Sequence, residues 1–292
     1  MRIAIIGAGR MGRWFAKFFK EQGFTVVASD RDKEKLQKLK EELNVEIADN
    51  VKAVESADRI LVCVPIDNFE DVIKEISTHI RPWQELMDIC SVKEAPVNIM
   101  HKYISNAVTL GTHPMFGPGA KSLKGQNFVL TPTNVEEQAL AEDFGKWLES
   151  KGANVFFTTP QEHDRIMSIV IGLPYFLSHV VCDTLLSIGE FEKAKKVSGI
   201  SYKLLLTLVE AVISEETELA TSIQMKLPEM GKLGELLLKK TSEWLEVVRQ
   251  KEKTALVEKI TILKNELAEA DPQYFRAYEC MYKMLETIKD EC

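Results

Sequence analysis

The sequence predicts an α/β fold, a doubly wound parallel sheet followed by an all-helical domain, and three observations point to it. A chain of 292 residues is about two domains long at roughly 150 residues each. Up to about residue 160, short β-branched runs alternate with amphipathic stretches, the spacing of parallel βαβ units. Beyond that point strand runs vanish and apolar residues recur at helical intervals. The predicted domains are therefore 1–160 and 161–292.

Taken in order, strands are predicted at 3–6, 25–28, 60–64, 86–90, 108–111, 127–130 and 154–157, each a short apolar run closed by polar or turn-forming residues. Between them 12–22, 32–43 and 69–80 read as helices. The second half offers four long helical stretches, 162–187, 201–225, 232–270 and 272–289. Within 232–267, apolar residues such as Leu236, Val248, Ile260 and Leu263 recur among many charges. This stretch reads either as a helix packed on its own domain or as a dimer-forming one.

Net charge is −7, with 45% hydrophobic and 28% charged residues. An acidic surface repels nucleic acid and anionic lipid, so neither is expected as a partner. Five scattered cysteines, Cys63, Cys90, Cys182, Cys280 and Cys292, form no C-x-x-C pair, which predicts no disulfide framework, no metal site and a cytoplasmic setting. The first six residues run straight into a glycine turn, too short for a secretory leader. No uncharged apolar run reaches the roughly 18 residues of a membrane span, so none is expected.

The first predicted strand runs into Gly7-Ala8-Gly9-Arg10-Met11-Gly12, and a helix follows. In such a G-x-G-x-x-G turn the first glycine makes the bend, the second admits a pyrophosphate, and the third lets helix pack on strand. The helix N-terminus adds unpaired N–H groups and a positive dipole end. This is the signature of a Rossmann-like dinucleotide site. The second strand leads to Asp30, where a carboxylate would accept both ribose hydroxyls and disfavour a 2′-phosphate. NAD is therefore expected, while Arg31 beside it leaves NADP open. Cys63, Val64 and Pro65 end a strand on the side where such sheets bind ligands, and are expected to line the cofactor.

Two more strand ends carry chemistry. Residues 88–93 place Ser91 and Lys93 close together, and 111–119 place His113 among glycines and prolines. That flanking predicts a fixed loop, a way to preorganise an imidazole for proton transfer. His79 and His101 sit in charged helical context and read as surface groups.

These motifs together, GAGRMG, DICSVK at 88–93, GTHPMFGP at 111–118 and EHDRIMS at 162–168, resemble the prephenate dehydrogenase family of tyrosine biosynthesis. The resemblance runs over nearly the whole chain and is vague in the last helices. It implies an NAD(P)-dependent oxidative decarboxylation of prephenate to 4-hydroxyphenylpyruvate and CO2, and a homodimer built through the helical domain. It also implies that His113 takes the ring-hydroxyl proton, that Ser91 orients that hydroxyl, and that Lys93 lies at the substrate. His163, in the matching His-Asp pair, is implied at the substrate or as a bridge between domains. Two positions depart from the family pattern. Lys203 stands where an arginine holds a carboxylate, and lysine keeps the charge but loses the bidentate fork. Tyr175 stands where many relatives have histidine; a phenol can hydrogen-bond but carries no positive charge. Arogenate as substrate, a β-hydroxyacid-type dehydrogenase, and a nicotinamide-sensing protein without catalysis remain the alternatives.

Overall fold

The computed structural model describes residues 1–289. They fall into two compact units, Met1–Ser168 with Met225–Pro228, and Ile169–Gln224 with the chain from Glu229 onward.

The first unit is built on β1 (Arg2–Ile6), α1 (Arg10–Glu21), β2 (Thr25–Ser29), α2 (Lys33–Leu43), β3 (Glu46–Ile47), α3 (Asn50–Glu55), β4 (Arg59–Val62), α4 (Ile66–Ser77), β5 (Glu85–Asp88), α5 (Glu94–Tyr103), β6 (Val108–Pro114), β7 (Asn127–Thr131), α6 (Val135–Ser150), β8 (Asn154–Phe157) and α7 (Pro160–Met167). Its eight strands form one sheet in the order β3-β2-β1-β4-β5-β6-β7-β8. All neighbours are parallel except β6 and β7. The order reverses between β1 and β4, and ligands of doubly wound sheets bind beyond the strand ends at that switch point. Register places Ser29, Ile6, Val62 and Asp88 in one row across four strands, so the segments that follow them emerge together.

Alternation along β1 explains the two-sided core: Ile3 and Ile5 enter one cluster, Ala4 and Ile6 the other. Burying each of these isoleucine side chains stabilises the fold by about 1.5–3 kcal/mol. On the first face α1 brings Trp14, Phe15, Phe18 and Phe19 against Phe116, Phe128, Phe144 and Trp147. Helix starts follow from their caps: Asp32, Asn134 and Thr159 each accept a backbone N–H from the first turn of α2, α6 and α7.

Two expectations about this unit change. The strand predicted to stop at residue 111 continues to Pro114, because β7 pairs with it antiparallel and matches His113 to Val129. His113 therefore sits in a strand, held by the ladder, and not in the predicted loop. The sequence reading also missed β3, only two residues long, and passed over α3, α5 and α6.

The second unit contains α8 (Leu173–Ile188), α9 (Phe191–Lys196), α10 (Ile200–Ile213), α11 (Thr217–Lys226, whose last residues belong to the first unit), α12 (Met230–Gln250), α13 (Lys253–Ala270) and α14 (Ala277–Lys289). It is helical, but the long predicted helices are divided. Residues 162–187 carry a π turn at Ser168–Gly172, just before Pro174 in the first turn of α8, where the ring removes a backbone donor. The stretch 232–270 breaks at Lys251, whose φ of 54° is left-handed. Within this unit α12 buries Met230 alone and α13 buries no residue.

The sequence contains no uncharged apolar run of 18 residues, yet one helix passes a membrane-length test by length and composition alone. Pro160–Ile188 is long and apolar enough by length and composition, with mean hydropathy 1.7 and 11% of the window buried. The uncharged run 166–182 falls just short of the length sought in the sequence, and the helix carries on through Asp183. Cys63, Cys90, Cys182 and Cys280 are free thiols; Cys292 lies outside the described residues.

Candidate active site

The glycine turn has the three environments a dinucleotide requires. Gly7 has φ +106°, and a Cβ there would lie 2.7 Å from the Cys63 carbonyl oxygen. A Cβ on Gly12 would lie 1.8 Å from the Gly7 oxygen, so only glycine lets α1 approach the turn. At Gly9 a Cβ would meet nothing within 4 Å, leaving the space where a pyrophosphate would reach the N-terminus of α1. No acidic residue stands in the first turn of α1 to oppose an anion.

Asp30 closes this turn from β2. One carboxylate oxygen accepts the Ala8 N–H at 2.6 Å and the other the Asp32 N–H at 2.7 Å. Each oxygen keeps a lone pair, so Asp30 can brace the glycine turn and still receive a ribose hydroxyl. Arg31 is exposed next to it. Arg10 and Met11 open α1, and Met11 packs against the core. Cys63 and Val64, just past the end of β4, crowd the space where a Cβ on Gly7 would stand, and Pro65 caps α4. Burial first, and the Asp88 carboxylate second, hold the Cys63 and Cys90 thiols protonated, which makes both poor nucleophiles.

Further along the sheet, His113 is 4% exposed and its Nδ1 lies 2.8 Å from Nε2 of His163. His163 in turn places Nδ1 2.7 Å from Asp164 Oδ1. The Asp164 carboxylate also accepts the Lys93 N–H at 2.6 Å and the Glu94 N–H at 3.0 Å, at the start of α5. These partners assign the tautomers. A carboxylate only accepts, so His163 carries its proton on Nδ1 and presents a lone pair at Nε2. His113 must then donate from Nδ1, which leaves its Nε2 as a bare acceptor. Among the described residues Nε2 has no hydrogen-bond partner, and it is not one of the sealed unpartnered atoms there, Ser178 Oγ and Tyr202 Oη. Burial, His163 and the Lys93 ammonium hold His113 well below the usual histidine range. Burial also lowers His163, despite the opposing pull of Asp164. The pair is neutral near pH 7, and the outer member is a base.

Lys93, expected at the substrate, is fully buried. Its ammonium pairs with Asp88 and donates to the Thr112 carbonyl at 2.6 Å. Asp88 also accepts from the Cys90 and Thr112 N–H groups at 2.8 and 3.2 Å. This ion pair ties β5 to β6 directly behind His113. Ser91 is half-buried on the turn between β5 and α5. Asp164, Asp88 and Thr112 were not singled out as site residues from the sequence. The adjacency of His163 and Asp164 was the one available signal, while the Asp88–Thr112 partnership depends on strand order.

In the helical unit, Tyr175 lies half-buried on α8, and Lys203 is exposed on the first turn of α10. The same two helices carry hydroxyls that sequence reasoning missed. Among the described residues Ser178 Oγ and Tyr202 Oη are each buried without a hydrogen-bond partner, an uncommon state for a buried hydroxyl.

The family model described as "Prephenate dehydrogenase, nucleotide-binding domain" matches residues 15–157, and "Prephenate dehydrogenase, dimerization domain" matches residues 159–262. A Methanocaldococcus jannaschii protein described as "Probable arogenate/prephenate dehydrogenase" is 36% identical over 88% of this chain, and the chain spans 59% of that protein's length. The fold resembles prephenate dehydrogenase from A. aeolicus in complex with hydroxyphenyl propionate and NAD+, with TM-score 0.73 at 20% identity, covering 93% of this chain and 98% of that one. Synechocystis arogenate dehydrogenase gives TM-score 0.71 at 18% identity, covering 92% and 100%. With the sheet and the helices matched in order by the two halves of one family, the chain belongs to the prephenate dehydrogenase family.

Proposed function

We propose that this chain oxidises prephenate with NAD to 4-hydroxyphenylpyruvate and CO2, a step of tyrosine biosynthesis. One observation carries the reading: the line Asp164–His163–His113 ends in an unpartnered, neutral imidazole nitrogen, in a unit whose glycine turn fits a dinucleotide. The Gly9 space and the start of α1 would hold the pyrophosphate, and Asp30 the adenosine ribose. When bound, the nicotinamide would accept a hydride from the ring carbon that bears the hydroxyl.

The chain's own residues manage the proton. His113 Nε2 accepts the hydroxyl proton as that carbon becomes a carbonyl. The imidazolium so formed donates more strongly from Nδ1 to His163, whose partner Asp164 offsets the charge. As the ring carboxylate leaves as CO2, its bonding pair enters the ring, and the new phenolate oxygen takes the proton back from His113. No net proton is released, so a base largely shielded from solvent is sufficient. Ser91 orients the hydroxyl. Lys93 acts through the strands it ties and through the charge that keeps His113 neutral. Lys203 and Tyr175, on the helical unit, are the residues proposed to receive the substrate carboxylates.

The chain is further proposed to work as a homodimer through its helical unit, where Leu236, Val248, Ile260 and Leu263 are each about half exposed. The relative described as arogenate/prephenate dehydrogenase makes arogenate the second substrate to assay. Purified protein is mixed with prephenate or arogenate and with NAD or NADP, and reduced nicotinamide and CO2 are measured. Equimolar formation of both from prephenate and NAD supports the proposal; preference for arogenate reassigns the substrate; turnover with neither overturns it. Light scattering after size exclusion tests the dimer, and a monomer at micromolar concentration rejects it.

A further inference from the structure

We infer that Trp14 is a positioning residue that couples the nucleotide turn to the segment following His113. In its catalytic consequence this rests on the function proposed above. Trp14 lies on α1 just beyond Gly12, so its backbone is part of the helix whose first turn would meet the pyrophosphate. Its indole N–H donates to the Ala120 carbonyl at 2.6 Å, across 106 residues of chain. Ala120 N–H donates to Gly117 at 3.1 Å, so the indole holds a closed turn and not a single carbonyl. The ring also sits 4.8 Å from that of Phe116, three residues after His113, while stacking on Phe18 at 5.2 Å.

At its start the held segment is also supported by Phe116, whose ring lies 6.5 Å from Phe15 and 6.4 Å from Phe128, but its glycines are open. Gly117 and Gly119 are exposed, and a Cβ on either would meet nothing within 4 Å. Below it, Met115 N–H donates to Asn127 at 3.0 Å where the hairpin closes. Trp14 is thus a tether from outside the hairpin, rooted in the cofactor helix. Phosphate binding at the start of α1 restrains that helix, and the restraint passes to residues 116–120 through the Trp14 indole, the hydrogen-bonded link, alongside the Phe15–Phe116 ring contact at 6.5 Å. The segment beside the reacting ring is ordered when nucleotide is present. By linkage, nucleotide and ring-acid ligand each strengthen the other's binding by the same factor.

The test compares the full chain with Trp14→Phe, which keeps an aromatic ring and removes the N–H. Amide hydrogen exchange in residues 115–121 is followed with and without NAD. The wild type gains protection with NAD and the variant does not, while NAD affinity stays within about two-fold, since the glycine turn is untouched. Losing one such hydrogen bond predicts a two- to ten-fold loss of coupling between NAD and 4-hydroxyphenylpyruvate, from the roughly 0.5–1.5 kcal/mol of a neutral bond. In turnover this raises KM for the ring acid more than it lowers kcat. Equal NAD-dependent protection in both proteins overturns the inference. So does loss of NAD binding itself, which would make Trp14 a fold residue and not a coupler. If the variant fails to fold, the indole N–H resonance of Trp14 in the wild type decides: its solvent exchange slows on adding NAD, and an unchanged rate rejects the coupling. Absence of prephenate turnover in the wild type would sink the proposed function but leave the exchange measurement readable.

Discussion

Replacing His163 with Phe tests the histidine line most sharply, because it preserves a ring of similar size in a buried site while removing the acceptor for His113 Nδ1. In the native arrangement that acceptor, 2.8 Å away, is what keeps the lone pair on Nε2. Without it, neutral His113 lowers its energy by moving the proton to Nε2, where solvent or substrate can receive it, so the base becomes a donor. Restoring the reactive tautomer then requires a buried, unpaired N–H, a cost of about 1–3 kcal/mol, and the imidazolium formed in the reaction also loses its strengthened bond, about 1 kcal/mol more. The sum corresponds to a fall in kcat of roughly 30- to 1,000-fold. NAD affinity, measured by calorimetry, stays unchanged. A variant with kcat within about three-fold of wild type and correct folding refutes the tautomer argument.

Three further outcomes follow. Gly12→Ala, whose Cβ would lie 1.8 Å from the Gly7 oxygen, destabilises the fold by about 1–3 kcal/mol and abolishes nucleotide binding, whereas Gly9→Ala, with open space around it, keeps its melting temperature and loses affinity alone. Lys93→Met strands the buried Asp88 carboxylate and costs about 3–5 kcal/mol by denaturant titration, and adding Asp88→Asn recovers part of the loss. Because native His113 and His163 are both lowered, their contribution to stability is full above the unfolded value of about 6.5 and is lost as pH falls below it. Melting temperature therefore drops from about pH 6.5 downward, and His163→Phe flattens that slope.

What was legible in the sequence is what local chemistry encodes. The strand–glycine–helix order at residues 2–21 specifies both the sheet and the nucleotide turn, since each glycine answers a local steric demand. His113 was visible as a candidate, but its strand setting was not, because the antiparallel partner β7 lies beyond a loop and its pairing is a long-range event. The same holds for Lys93. A lysine near a serine at a strand end reads as a substrate cation until register sets Asp88 and Thr112 on either side of it and the ammonium is sealed in. The long helices were legible as helices, but their breaks at the π turn before Pro174 and at Lys251 depend on backbone choices that apolar spacing does not record.

The most direct measurement is turnover of prephenate with NAD by wild type and His113→Asn side by side, with NAD affinity determined for both. Expected are equimolar reduced nicotinamide and CO2 from the wild type, at least a 1,000-fold loss in the variant, of the order set by removing a general base, and equal NAD affinity. A variant that keeps its turnover, or a wild type inert toward both prephenate and arogenate, would contradict the proposed function.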